Sequence, residues 1–157
     1  MGYTDNTSSP RVSRGIAYVA ANGYSNTRVA GNWYNWCLNA GNPVAAELVD
    51  FTHSGGVLTY TGSEEKVFKV LASVYMRGSL GVGQGNHILG ISVNGAAPDL
   101  KNQCGVRLTS TASTATVTGV VTLSTGDTVS LQSLANAGSA FGTYAYYDWR
   151  SNLIVTE

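Results

Sequence analysis

From Leu108 to Tyr147 the chain carries a single charged residue, Asp127, and within that span Thr114–Ala135 reads TATVTGVVTLSTGDTVSLQSLA. Successive side chains of an extended backbone point to opposite faces. Val117, Val121 and Leu123 fall together in the first half and Val129 and Leu131 in the second, with Thr125-Gly126-Asp127 as turn chemistry between them. The segment reads as two strands side by side, joined by a turn. Exposed strands normally carry charge, which keeps them from pairing with other chains. A strand pair this bare must be covered, either by the rest of its own domain or by further copies of the chain.

The rest of the composition favours copies. Charged residues make up 11% of the 157, against about 25% in an ordinary soluble domain. Nine basic and nine acidic residues leave a formal net charge of zero. That balance removes the simplest driving force for binding nucleic acid or an anionic membrane surface. A neutral, weakly charged surface tends to associate, so the chain reads as part of an assembly. The length suits one domain with a core of its own. No stretch of about 20 apolar residues spans a membrane, and MGYTDNTSSPRVSR has no apolar centre of the kind a secretory signal needs. Synthesis in a cytoplasm is expected, with Cys37 and Cys104 as buried free thiols rather than metal ligands.

Strand signals dominate the chain after residue 14. Ile16–Ala20 and Glu47–Phe51 are short apolar runs, the second followed by HSGG as a turn and then VLTYTG. The clearest strand is KVFKVLASVYM, in which Phe68, Val70, Ala72, Val74 and Met76 share one face and Lys69, Ser73 and Tyr75 the other. In HILGISVNG, Leu89, Ile91 and Val93 share a face and Asn94-Gly95 marks a tight turn. No helical period lasts beyond about two turns, because glycine and proline interrupt LNAGNPVAAEL. Many short strands separated by turn signals predict an all-β fold, a single jelly-roll or β-sandwich domain over residues 15–157 behind a polar N-terminal arm, residues 1–14.

The succession FTHSGGVLTYTG, KVFKVLASVYM, ILGISVNG, VVTLSTGDTVSLQ and a last LIV strand resembles the trimeric jelly-roll structural proteins of bacteriophages, found at fibre tips and on capsid surfaces. It is similar in layout to the trimeric heads of the C1q and tumour necrosis factor superfamily, over roughly Ile16 to Glu157. The resemblance implies a homotrimer whose jelly rolls pack side-on. Thr116, Thr118, Gly119 and Ser130, small and uncharged, suit such close approach, and Tyr144 and Tyr146 join them as interface candidates.

Little in the sequence points to catalysis. His53 and His87 have no metal-type partner spacing, GVGQGN is followed by neither a helix nor a lysine, and no nucleophile motif appears. The carboxylates fall mostly where turns or solvent explain them. No enzyme activity, metal or cofactor is expected. The aromatic clusters NWYNW, with Trp33, Tyr34 and Trp36, and YAYYDW suit either subunit contacts or stacking on sugar rings. The expected function is a virion structural protein: a phage capsid decoration (cement) trimer, made in the bacterial cytoplasm and seated on the major capsid protein. Tyr3, Arg11, Val12 and Arg14 of the arm are its expected shell contacts. The alternative is a receptor-binding tip of a tail or head fibre, with Trp33, Tyr34 and Trp36 on a host glycan. A start at methionine with so short an arm favours the small independent protein.

Overall fold

The computed structural model describes residues 11–19, 24–28, 31–35, 43–78, 85–108, 113–135, 142–146 and 151–157. They form a sandwich of two antiparallel sheets. In the first, β7 (Lys66–Gly78) is paired along one edge by β10 (Ser113–Leu123) and along the other by β13 (Asn152–Thr156) and β12 (Gly142–Tyr146). Beyond β13 come β1 (Arg14–Val19) and β4 (Pro43–Val49), and beyond β12 comes β2 (Tyr24–Arg28). The second sheet runs β5 (Phe51–Ser54), β6 (Val57–Tyr60), β11 (Thr128–Ala135), β8 (Gly85–Val93) and β9 (Gln103–Leu108). The three-residue β3 (Trp33–Asn35) also pairs with β11.

The alternation in KVFKVLASVYM is realised from Phe68 to Tyr75: Phe68, Val70, Ala72 and Val74 are buried, while Lys69 is exposed and Ser73 and Tyr75 are half-buried on the opposite face; the Met76 side chain lies outside the described residues. Across the sandwich they meet Leu58, Leu89, Ile91, Val129 and Leu131 from the second sheet. At one pole Phe51, Tyr60 and Phe68 pack as three rings with centroids 5.0–5.4 Å apart. Offset and edge-on ring pairs of this kind add to plain area burial.

Three sequence expectations are corrected. Glu47–Phe51 is not one strand: Asp50 takes φ 58, and the chain crosses there from β4 in the first sheet to β5 in the second. Nor do the two halves of Thr114–Ala135 pair with each other. β10 pairs with β7, whereas β11 pairs with β8, β6 and β3 in the opposite sheet. The turn between them bonds to β6 instead, where Gly126 N donates to Tyr60 O at 2.8 Å and Tyr60 N to Asp127 O at 2.9 Å. The thiol of Cys104 is half-buried against the core rather than fully buried, and it is free; Cys37 lies outside the described residues.

The outer face of the second sheet is covered by its own chain. After the Asn94-Gly95 turn the segment 96–99 folds back across β8, held by Ser92 Oγ donating to Ala96 O at 2.6 Å and Gln103 Nε2 donating to Pro98 O at 2.7 Å. Pro98 sits directly over Gly90: a Cβ there would lie 2.4 Å from the proline Cβ. A Gly90→Val substitution should therefore lift the segment off the sheet at a cost of about 1–3 kcal/mol. Urea denaturation should show this as a lower midpoint with an unchanged slope. An unaltered midpoint would mean that the segment is not held there.

Candidate assembly face

Paired residues on neighbouring strands put their side chains on the same face of a sheet. The registers of the first sheet therefore lay out its outer face in rows. One row runs Val120, Lys69, Thr156, Arg14 across β10, β7, β13 and β1. The next runs Thr118, Leu71, Ile154, Ile16, and a third runs Thr116, Ser73, Asn152, Tyr18. No segment of the described chain crosses this face in the way that residues 96–99 cross the other sheet.

The face is apolar for a surface. Val67 is 59% exposed, Val120 56% and Leu71 39%, with Tyr18 and Val44 similarly open toward the β1–β4 side. At its centre is a shallow depression of about 430 Å³, lined by Lys69, Leu71, Thr118, Val120, Ile154 and Thr156. Charge is scarce here. Arg14 is ion-paired with Glu47, and Lys69 enters none of the ion pairs among the described residues. Contiguous exposed apolar surface is the kind of feature at which interaction sites are found.

The expected interface residues divide. Thr116 and Thr118 stand exposed on this face. Gly119 borders the depression, but its glycine character is required from inside, since a Cβ would lie 2.5 Å from Asn102 Oδ1. Ser130 is corrected: at 6% exposure it is buried mid-strand in β11 between β6 and β8, covered by its own chain and unable to meet another copy. Tyr144 and Tyr146 have their backbones in β12, paired with β7 and β2, and their side chains lie outside the description. The large apolar side chains of this face, Val67, Leu71, Val120 and Ile154, were not among the candidates. Val67 and Leu71 occupy the same odd positions as Lys69, Ser73 and Tyr75, so the alternation itself held the signal.

The residues expected to contact a shell lie at one pole, except Tyr3, which is outside the described residues. Arg11 is exposed, 3.9 Å from Asp50, and Val12 is exposed. Arg14 opens β1 and is committed to Glu47. Between them Ser13 is buried and ties the start of β1 to the end of β13 and to the crossing at Asp50. Its N–H donates to Glu157 Oε2 at 3.2 Å, its Oγ donates to Asp50 Oδ2 at 2.8 Å, and Glu157 N donates to its carbonyl at 3.1 Å. Lys66 Nζ closes the cluster 2.8 Å from Glu157 Oε2. That hydrogen bond holds the Glu157 carboxyl below the usual carboxylate range and the Lys66 ammonium above its own.

Asp127 clamps two turns at the same pole. Its Oδ1 accepts from Asn94 Nδ2 at 2.8 Å and its Oδ2 from Ser124 N at 2.8 Å, while Asn94 Oδ1 accepts from Thr128 N at 2.9 Å. The bonds from Asn94 and then Ser124 favour its ionised form and lower its pKa. His53 likewise serves a turn, its Nε2 accepting from Gly56 N at 3.2 Å, and burial pushes its pKa down. Trp33 and Tyr34 lie half-buried in β3, and the end of the Trp33 ring is 3.3 Å from where a Gly90 Cβ would be. Trp36 lies outside the described residues. Among the described residues no group of three His, Cys, Asp or Glu side chains could hold a metal ion, and no helix is long and apolar enough to cross a membrane.

No protein-family model matches the sequence, and no curated protein sequence matches it significantly. Solved structures do share the fold. The Eiger TNF structure from S. frugiperda superposes with a TM-score of 0.61 at 9% identity, over 93% of this chain and 92% of that one. Murine APRIL at pH 5.0 gives 0.59 at 11% identity, over 94% and 99%. The PRD1 vertex protein P5 gives 0.50 at 12% identity, over 93% and 95%. The chain has a TNF-like jelly roll.

Acid should loosen the pole. A carboxyl whose folded pKa is depressed contributes stability above its unfolded value and loses it as pH falls through the folded one. Glu157 and Asp127, with ordinary values of 4.5 and 3.8, should both lower the urea midpoint as pH drops below those values and through the depressed folded ones. Asp127→Ala should cost about 1 kcal/mol at neutral pH, the net worth of a typical hydrogen bond, and should flatten part of the acid response. An acid response identical to wild type would mean that the clamp contributes nothing.

Proposed function

We propose that the chain is a structural, non-catalytic component of a virus particle: a homotrimer that decorates a phage head and stabilises it by adhesion. The copies pack through the outer face of the first sheet. The observation that carries this reading is the strip of exposed Val67, Leu71 and Val120 beside half-buried Ile154, large apolar side chains on a face of little charge that nothing in the described chain crosses. A partner of strong charge finds no complement there. Another copy suits it better, because its apolar side chains bury against apolar surface and a net charge of zero sets up no overall repulsion between copies.

The virion setting is supported by the likeness to the PRD1 vertex protein P5. Seating on the major capsid protein falls to the pole where Arg11 and Val12 are exposed, and three such poles on one trimer act multivalently. Synthesis in the bacterial cytoplasm goes with this reading. Glycan binding by a fibre tip gains no support from Trp33, whose ring end is turned onto its own sheet.

Light scattering coupled to gel filtration should give three chain masses for the wild type at micromolar concentration. The double substitution Leu71→Lys with Val120→Lys should give one mass while the β circular dichroism spectrum is kept. Purified, undecorated heads should co-sediment with the wild type and lose the protein when residues 1–12 are deleted. A wild-type monomer would sink the reading. A trimer that ignores the heads would remove the decoration role.

A further inference from the structure

Lys69 is the anomaly of the apolar face. Its neighbours across the strands are Val120 on β10 and Thr156 on β13, and Leu71 follows two residues on along the same face of β7. Arg14, two strands away in the same row, is neutralised by Glu47, and no carboxylate of the described residues pairs with Lys69. In the isolated chain this costs nothing, because the ammonium is in water. Where this face lines the threefold axis of the proposed trimer, the Lys69 side chains of the three copies converge on one space. Several unpaired ammonium groups would then be drawn together and desolvated, which is strongly unfavourable unless an opposite charge enters with them.

The depression supplies what such a charge needs. Lys69 shares its lining with Thr118 and Thr156, whose hydroxyls can donate hydrogen bonds beside the ammonium. The walls are otherwise aliphatic, from Leu71, Val120 and Ile154. A cation and hydroxyl donors within an apolar rim recognise a compact oxyanion with several acceptor oxygens. We propose that the depression is an oxyanion site completed by assembly, in which the Lys69 ammonium groups of neighbouring copies, with the Thr118 and Thr156 hydroxyls, enclose an anion of the phosphate or sulfate type. This rests on the reading of the outer face as the surface joining copies, and it adds that the assembled form is anion-loaded.

Analytical ultracentrifugation of the full chain, in inorganic phosphate and in chloride at equal pH and ionic strength, tests this. Phosphate at about ten times its own dissociation constant should tighten assembly roughly tenfold, because a ligand held only by the assembled form shifts the equilibrium by mass action. Lys69→Met keeps the apolar stem and removes the charge. It should assemble in chloride at least as well as the wild type and show no response to phosphate. Thr118→Val should assemble and respond less. A wild-type trimer that dissociates equally in both salts overturns the anion site while leaving the assembly face intact. A phosphate response retained in Lys69→Met also overturns it, by showing a general salt effect. A wild type that stays a single chain in every buffer overturns the face and the site together.

Discussion

The backbone ladder along β7 is the interaction from which the rest of the molecule hangs. One edge of this strand is paired with β10 through an uninterrupted register from Lys66↔Leu123 to Met76↔Ser113. The other edge is shared in sequence by β13 and β12. Its inner residues form the middle of the core, and its outer residues form the middle of the exposed face. A strand with both edges paired cannot slip by one residue, because a slip would exchange Phe68, Val70, Ala72 and Val74 with Val67, Lys69 and Leu71. The core and the candidate assembly face are thus fixed by the same register.

The two sheets are treated unequally. The second is roofed by its own segment 96–99 across Gly90 and Ser92, and its polar mid-strand residues Ser130 and Gln132 are buried. The first keeps aliphatic side chains in the open. Among the described residues one sheet is roofed by a loop and the other is not, and the scarcity of charge from Leu108 to Tyr147 divides accordingly. β11 is covered from within, while β10 turns Thr114, Thr116, Thr118 and Val120 outward.

Much of this was legible from residue order, for local reasons. Strand identity followed from alternation, as in β7 and β8, and the tight turn at Asn94 from a residue type that tolerates positive φ, observed at 53°. The all-β sandwich followed from the number of such pieces. What could not be read was which strand sits beside which. Thr125-Gly126-Asp127 looks the same whether it reverses a strand onto its neighbour or carries the chain to the opposite sheet. The outcome depends on Tyr60, more than sixty residues earlier, which takes up the turn's backbone bonds. The misplacement of Ser130 has the same origin, since its burial follows from the sheet it joins. Val67 and Leu71 share the period of Lys69 and so face outward, although aliphatic residues in a strand usually belong to the core.

The junction of Ser13 with Glu157 has a mechanical side. β1 and β13 run antiparallel and their free ends lie together at one pole. A pull applied through both ends meets the ladder from Arg14↔Thr156 to Tyr18↔Asn152 end-on, so its bonds are loaded one pair at a time, as a zip is opened. A pull borne by the broad face of the first sheet is instead distributed over many side chains at once. A molecule built this way yields readily when tugged by the ends of these two strands and resists when gripped across its flank.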